Sequence, residues 1–322
     1  MAITGGTGAL GLIVAKWLAS NGVARIVLLS RSGSVSAANE PLLTALNAAA
    51  EEAGVAIEIA RLDVSDRGAV ETFVVQRAAQ LTRGGIIHCA GVLRDSMLSK
   101  QSWGTFEEVL APKAWGALFL HNALRRHNVE LMMFVVFSSV TSLMGNLGQT
   151  SYGAANAALD ALCAARAALN LPALAVQWGP WANFGMAATL ERHLKMIWTP
   201  LGAEDGLAGL EHALDLSRKA TPTTGCVVAV TRFSPSELSA LASKSDFYRR
   251  FLEDVVTVAP PAATPAVRRQ QQSGGGAVVA AAPRRALASK KTKKHASGEA
   301  RVAVRMSPTL LPLHFARIIL TI

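Results

Sequence analysis

Cysteine is scarce in this chain: Cys89, Cys163 and Cys226 are the only three in 322 residues. The count is odd, the spacings are wide, and neither a CxxC nor a zinc-binding pattern occurs. A disulfide framework and a cysteine-built metal site are therefore disfavoured, and a reducing, cytoplasmic setting is the easier one. Long hydrophobic runs are missing too. The last stretch, 309–322, is apolar but short and is interrupted by Pro312, His314 and Arg317, so no membrane span is expected. The N-terminus is broken by glycines and has no charged leading region, unlike a secretory signal. Acid is nearly absent from the tail: residues 260–322 hold 11 Lys and Arg against the single acid Glu299, whereas 1–259 hold 21 of each sign. The net charge of +10 thus lies entirely in the tail. A neutral body gives no reason to expect a nucleic-acid or membrane partner. The lysine cluster at 290–294 lacks interleaved aromatics, so it reads as a linker or targeting tract rather than a nucleic-acid site.

What is present is a regular alternation. Apolar, β-rich runs at 24–30, 55–60, 84–88, 131–137, 173–178 and 225–231 predict buried strands. Stretches of 3.6-residue periodicity lie between them, at roughly 9–21, 39–53, 66–82, 102–127, 151–169 and 203–217. Strands apolar throughout and separated by helices predict a doubly wound α/β fold, a parallel sheet covered on both faces. Only Met1-Ala2-Ile3 precede the first glycines, so strand one reads as clipped, and in a central strand that should weaken the fold. One domain is expected over 1–258. Residues 259–322, rich in Ala, Pro, Gln and Gly, are expected to form a basic, low-complexity and disordered tail.

Residues 4–11 read TGGTGALG, between a strand and a helix. Gly6, Gly8 and Gly11 fit G-x-G-x-x-G, and with Thr7 and Leu10 they are the candidate cofactor-binding residues of this turn. In that context the glycines give a tight turn, close backbone approach to a pyrophosphate and tight helix–sheet packing. A glycine-rich turn without a ligand is the plainer alternative. Twenty residues beyond Gly11, where an NAD-binding chain carries an acid, stands Arg31, preceded by Ser30. An arginine there can pair with a 2′-phosphate, which favours NADPH over NADH. The alternative is a solvated charge at a strand end.

A second group of polar residues spans 139–156. Ser139 ends a strand, Tyr152 follows thirteen residues later near a helix start, and Asn156 is four residues further on the same helix face. Tyr152 is one of only two tyrosines. Ser139 as a strand-end cap and Tyr152 as an amphipathic core residue remain open on these residues alone.

Taken together, the motifs resemble the short-chain dehydrogenase/reductase superfamily, and more closely the ketoreductase domains of modular polyketide synthases and animal-type fatty acid synthases. TGGTGALG at 4–11, LLSRSG at 28–33, LDVSD at 62–66, HCAGVLRD at 88–95, APKAWGA around Lys113, FSSV…YGAAN at 137–156 and WGPWANFGMA at 178–187 occur in family order. The resemblance implies NADPH-dependent reduction of a β-ketoacyl thioester on an acyl carrier protein, alongside other synthase domains. It makes Tyr152 the proton donor, Ser139 a hydrogen-bond donor to the ketone, and Lys113 the cation beside the tyrosine. Asn156 stands where most of the superfamily has lysine, and would help align Lys113; Lys113 as an exposed helix lysine is the plainer alternative. Asp63-Val64 is implied to hold the adenine, Ala90-Gly91 to border the cofactor ribose, and Pro180-Trp181 to form the nicotinamide pocket mouth. Residues 182–200 become a lid candidate, with Trp181, Phe184, Met186 and Trp198 either covering an acyl chain or belonging to the core. His88 and Cys89 read as strand-end packing. Leu93-Arg94-Asp95 resembles the Leu-Asp-Asp motif of B-type ketoreductases, and Met144 replaces the tryptophan of A-type ones, implying a D-configured 3-hydroxyl. The chain lacks a preceding silent half-domain and a carrier-protein Asp-Ser-Leu motif in 260–322. It reads as a piece of a multidomain synthase, a divergent single-domain form or an incomplete gene product.

Overall fold

The computed structural model describes residues 1–182, 198–219 and 226–233, positions 239–249 in part, and two strands at 301–305 and 316–321. The apolar runs are strands: β1 (Ala2–Thr4), β2 (Arg25–Ser30), β3 (Ala56–Arg61), β4 (Gly85–His88), β5 (Met133–Ser139), β6 (Leu174–Trp178), β7 (Trp198–Thr199) and β8 (Val227–Phe233). Two more, β9 (Arg301–Arg305) and β10 (Ala316–Thr321), follow. The sheet order is β3-β2-β1-β4-β5-β6-β8-β10-β9, with β7 against β8. All pairings are parallel except β7–β8 and β9–β10. The chain turns from one half of the sheet to the other between β1 and β4, which opens a crevice at the carboxyl ends of those strands.

Side chains alternate across the sheet with period two. Ala2, Val27, Leu29, Ile86, Phe134 and Val136 face one core, together with Val70 and Val74 of α3 (Arg67–Thr82), Leu120 and Leu124 of α5 (Gly116–Arg126), and Leu159 of α7 (Thr150–Ala168). Ile3, Ile26, Leu28, Ile87, Val135 and Phe137 face the other, with Leu12 and Val14 of α1 (Ala9–Ser20), Leu46 of α2 (Glu40–Ala53), and Leu210 of α8 (Ala203–Lys219). Full burial of each such aliphatic side chain is worth about 1.5–3 kcal/mol, so these two layers supply most of the drive to fold.

β1 is short, yet it occupies the expected central place. Ala2, Ile3 and Thr4 pair on one side with Val27, Leu28 and Leu29 and on the other with Ile86, Ile87 and His88, and all three are buried. The helix expected over 102–127 is three segments. α4 (Trp103–Leu110) opens on a Ser102/Thr105 capping box, a π-helical turn covers Ala111–Trp115, and α5 continues. Pro112 lies inside that turn and has no N–H for a regular helical bond. A four-residue helix, α6 (Thr141–Met144), follows β5.

The tail differs from expectation at two places. RVAVR and ARIILT, rich in the β-branched residues strands favour, extend the sheet beyond β8 instead of remaining unstructured. The boundary at 258/259 and the rest of 259–322 lie outside the described residues.

Candidate functional site

The glycine turn and its neighbours build one wall of a cleft of about 690 Å³ over the carboxyl ends of β1 to β4. Thr7, Gly8, Leu10, Gly11, Ser30, Arg31, Asp63, Val64, Ala90 and Gly91 line it. Gly6 sits behind them: a Cβ there would lie 2.6 Å from the Ile3 carbonyl and 2.9 Å from Leu28 Cα, so only glycine lets the turn press onto β1 and β2. Gly11 is just as confined, 2.7 Å from the Gly5 carbonyl, which seats α1 against the turn. Gly5 is left-handed at φ +64° and packs on Ala90. α1 begins at Ala9 with no side-chain cap and no acid in its first turn. Its free N–H groups and the helix dipole therefore face the cleft, the electrostatics that a pyrophosphate requires. A dinucleotide fits this cradle, with Arg31 and Ser30 at the far rim.

Pro112 lines the cleft, and the next residue is Lys113. Lys113 is 3% exposed, held by the π turn with its ammonium donating to the Phe137 carbonyl at 2.8 Å. The same ammonium lies 5.1 Å from the centre of the Tyr152 ring. Ser139 is buried at the end of β5, and its Oγ accepts from the Thr141 N–H at 3.2 Å. Asn156 is fully buried; its Nδ2 donates to the Tyr152 carbonyl at 2.8 Å and to Thr141 Oγ1 at 3.5 Å. The end of β5, the π turn and the first turns of α7 thus bring the four residues together from three elements.

Burial sets the charges. Desolvation lowers the Lys113 ammonium to about 8, against the opposing pull of Cys89 and Asp160. Desolvation likewise pushes the Tyr152 phenol up to about 12, and the Asp95 charge adds to this, while Asn156 and Ser139 draw it back. Asp95 is itself raised, by desolvation first, with a hydrogen bond from Gln149 working against it. That bond, Gln149 Nε2 to Asp95 Oδ2 at 2.8 Å, ties the loop after β4 to the start of α7 beside Tyr152.

Residues 1–183 match the family model described as the KR domain. The chain belongs to the KR domain family. These are the ketoreductase domains of type I polyketide synthases, within the short-chain dehydrogenase/reductase superfamily. The chain is 42% identical over 215 residues to polyketide synthase GfsB of Streptomyces halstedii, an alignment of 66% of this chain with 4% of that protein. It is 37% identical over 199 residues to 6-methylsalicylic acid synthase of Penicillium patulum, covering 59% of this chain and 11% of that one. Among solved structures, the first ketoreductase of the tylosin polyketide synthase superposes with a TM-score of 0.62 at 33% identity, over 77% of this chain and 51% of that chain. An A-type ketoreductase from a modular polyketide synthase gives 0.63 at 31%, over 76% and 49%. The chain therefore spans about half the length of these solved ketoreductases and a small fraction of the curated synthases.

In this KR domain Pro180 and Trp181, like Lys113, Ser139, Tyr152 and Asn156, are not among the described residues lining that cleft. Trp181 is 3% exposed and belongs to the core: its ring meets Trp178 edge-on at 5.0 Å, and α8 leaves room for it only because residue 206 is glycine. Pro180 is likewise not on the cleft wall; its carbonyl accepts from the Leu201 N–H at 2.8 Å. Trp198 is core as well, against Phe233 at 5.0 Å. Phe184, Met186 and most of the proposed lid lie outside the described residues. His88 is fully buried between Thr4 Oγ1 at 2.7 Å and the Lys113 carbonyl at 2.9 Å, and desolvation lowers it to about 4. It packs the strand end, as expected. Cys89, which reads from the sequence only as packing, also lines the cleft, and burial pushes its thiol up. Gly5, Ser32, Val92 and Pro112 line it too, and the motifs do not single them out. All four lie inside motifs quoted above, at positions other than those chosen as candidates; Gly5 precedes the G-x-G-x-x-G spacing that starts at Gly6.

Proposed function

We propose that this KR domain uses NADPH to reduce a β-ketoacyl group, presented as a thioester on an acyl carrier protein, to the β-hydroxyacyl form. The observation that carries the reading is the convergence of Tyr152, Ser139, Asn156 and Lys113, the last directly following Pro112 on the wall of a cleft fitted for a dinucleotide. Bound NADPH would supply the hydride for the ketone carbon, held by the α1 N-terminus, Asp63-Val64 and Ala90-Gly91, with Arg31 and Ser30 taking the 2′-phosphate. The protein must then stabilise and protonate the new alkoxide. Tyr152 does this as a neutral phenol, a state that its burial secures at physiological pH. Ser139 Oγ donates to the same oxygen. Lys113 offers the positive charge that favours the phenolate left after proton transfer. Asn156 fixes the first turn of α7 through its bond to the Tyr152 carbonyl.

Leu93-Arg94-Asp95 directly follows Val92 of the cleft wall. Asp95 is held by Gln149, whereas Arg94 turns away to pair with Glu108. The D-configured product is assigned to the retained Asp95. The direct test follows nicotinamide absorbance in a mixture of the purified chain, NADPH and a β-ketoacyl-N-acetylcysteamine thioester. Oxidation that needs both components supports the reading; none, with NADPH bound, sinks it. That second result would support a non-catalytic dinucleotide-binding domain that needs a partner, a reading favoured by the half-length match to solved ketoreductases.

A further inference from the structure

The imidazole of His88 joins three elements. His88 ends β4 and pairs in register with Thr4 at the end of β1; the two are 0% and 1% exposed. Its Nδ1 lies 2.7 Å from Thr4 Oγ1, and its Nε2 lies 2.9 Å from the carbonyl of Lys113 in the π turn. A carbonyl oxygen only accepts, so Nε2 carries the proton and donates to it. Nδ1 keeps its lone pair and accepts from the Thr4 hydroxyl. Desolvation, which lowers His88 to about 4, keeps the ring neutral at physiological pH. The two contacts together select one tautomer and use both ring nitrogens.

The bond to Lys113 falls where the helical path between α4 and α5 is irregular. Pro112 has no N–H, and the Gly116 N–H reaches back to both Ala111 O and Lys113 O. The Lys113 carbonyl therefore accepts from two sides, from Gly116 within the turn and from His88 at the end of β4. The ring fits because residue 116 has no side chain: a Cβ there would lie 3.3 Å from His88 Cε1 and 3.0 Å from Val64 Cγ2. The Lys113 ammonium, at the other end of the residue, donates to the Phe137 carbonyl at 2.8 Å and lies 5.1 Å from the centre of the Tyr152 ring. Lys113 is thus held at both ends, its carbonyl from β4 and its ammonium from β5.

We propose that His88 is a positioning residue: by donating its Nε2–H to the Lys113 carbonyl it fixes the π turn at the place from which the Lys113 side chain reaches Tyr152, with the Thr4 hydroxyl holding the ring in the tautomer that donates. The consequence for turnover rests on the ketoreductase reading; the fixing of Lys113 does not.

Two amides separate the roles of the two ring nitrogens. A glutamine amide stands near the place of Nε2 and can donate to the Lys113 carbonyl, whereas an asparagine amide stands near Nδ1 and reaches only Thr4. The test labels the lysines of the full chain with ¹³C at Cε and titrates Lys113 by NMR, assigned by its loss in Lys113→Met, in variants shown by thermal melt to be folded. In His88→Asn the Lys113 titration should rise from about 8 by about one unit, because an ammonium released from its buried place regains water. In His88→Gln it should stay near the wild-type value. In the turnover assay kcat should fall about 10- to 100-fold in His88→Asn and be largely kept in His88→Gln. A Lys113 titration unchanged in folded His88→Asn, or moved equally in both variants, overturns the proposal. Should His88→Asn not fold, the ring ¹⁵N shifts of His88 in the wild-type chain decide: a neutral ring protonated at Nε2 supports the proposal, and one protonated at Nδ1 overturns it. A moved titration in a chain without turnover supports the fixing of Lys113 and defeats the reductase reading alone.

Discussion

The Lys113 ammonium stands 5.1 Å from the centre of the Tyr152 ring, while its own hydrogen bond goes to the Phe137 carbonyl. A cation against an aromatic face is attracted by the ring quadrupole, more so where water is excluded. The two groups are shifted in opposite directions, lysine down to about 8 and phenol up to about 12, both by burial. At neutral pH the pair is a charged lysine beside a neutral phenol.

An alkaline limb in activity follows from this pair. Turnover should fall as pH rises through about 8, because Lys113 then loses its proton, while Tyr152 stays protonated to about 12. Lys113→Met should lower kcat and abolish that limb. Tyr152→Phe should cost roughly 10²–10⁴-fold in kcat with NADPH affinity intact. A pH profile of kcat for the three proteins checks this; wild-type rate in Tyr152→Phe would remove Tyr152 from its role.

Acid should unfold the domain partly through His88. Its folded pKa, about 4, lies below the ordinary 6.5. The unfolded chain thus takes the proton first as pH falls, and stability present above 6.5 is lost between 6.5 and 4. The shift corresponds to something on the order of 3 kcal/mol. Denaturation midpoints of wild type and His88→Gln across that window should differ in slope, the variant being flatter.

The three motif glycines should not behave alike. Gly6→Ala forces a Cβ onto backbone atoms at 2.6 and 2.9 Å and should cost roughly 1–3 kcal/mol or more in stability. Gly8→Ala meets only the Gly5 carbonyl at 3.2 Å, and should change stability by about 1 kcal/mol or less. Gly8 nevertheless lines the cleft, so its variant should lose nicotinamide-cofactor binding while still melting cooperatively. Thermal melts paired with NADPH fluorescence titration distinguish the two.

Arg31 should select between cofactors. A hydrogen bond to a charged group is worth about 1.5–3 kcal/mol, so Arg31→Ala should weaken NADPH about 10- to 100-fold. NADH, which lacks the 2′-phosphate, should bind unchanged. Equal losses for both cofactors would place Arg31 elsewhere in binding.

Much of this site is legible before folding because its signals are local. Tyr152 and Asn156 share a face through helical spacing alone, and the glycine turn sits at a strand–helix junction. Lys113 is not legible that way. Its position depends on a π turn, whose trace in the sequence is Pro112, and on β5 arriving alongside. Trp181 misleads because an aromatic after a strand end can face either layer, and here the space above Gly206 decides it. His88 reads only as packing because its partners, Thr4 and the Lys113 carbonyl, come from other elements. β9 and β10 are hidden by the low-complexity composition surrounding them.

The π turn between α4 and α5 has one more consequence, for how this chain tolerates change in length. A helix advances about 100° per residue, so one residue more or fewer in 111–115 would shift the phase of everything on one side of the turn. α5 is pinned by Leu120 and Leu124 in the core, and Gly116 is pinned against Val64 and His88. The slack would be taken up upstream, where Lys113 would leave the Tyr152 ring although no residue had been substituted. Drift by single-residue insertion or deletion is therefore closed to this segment, whatever exchanges of side chain its exposed positions accept.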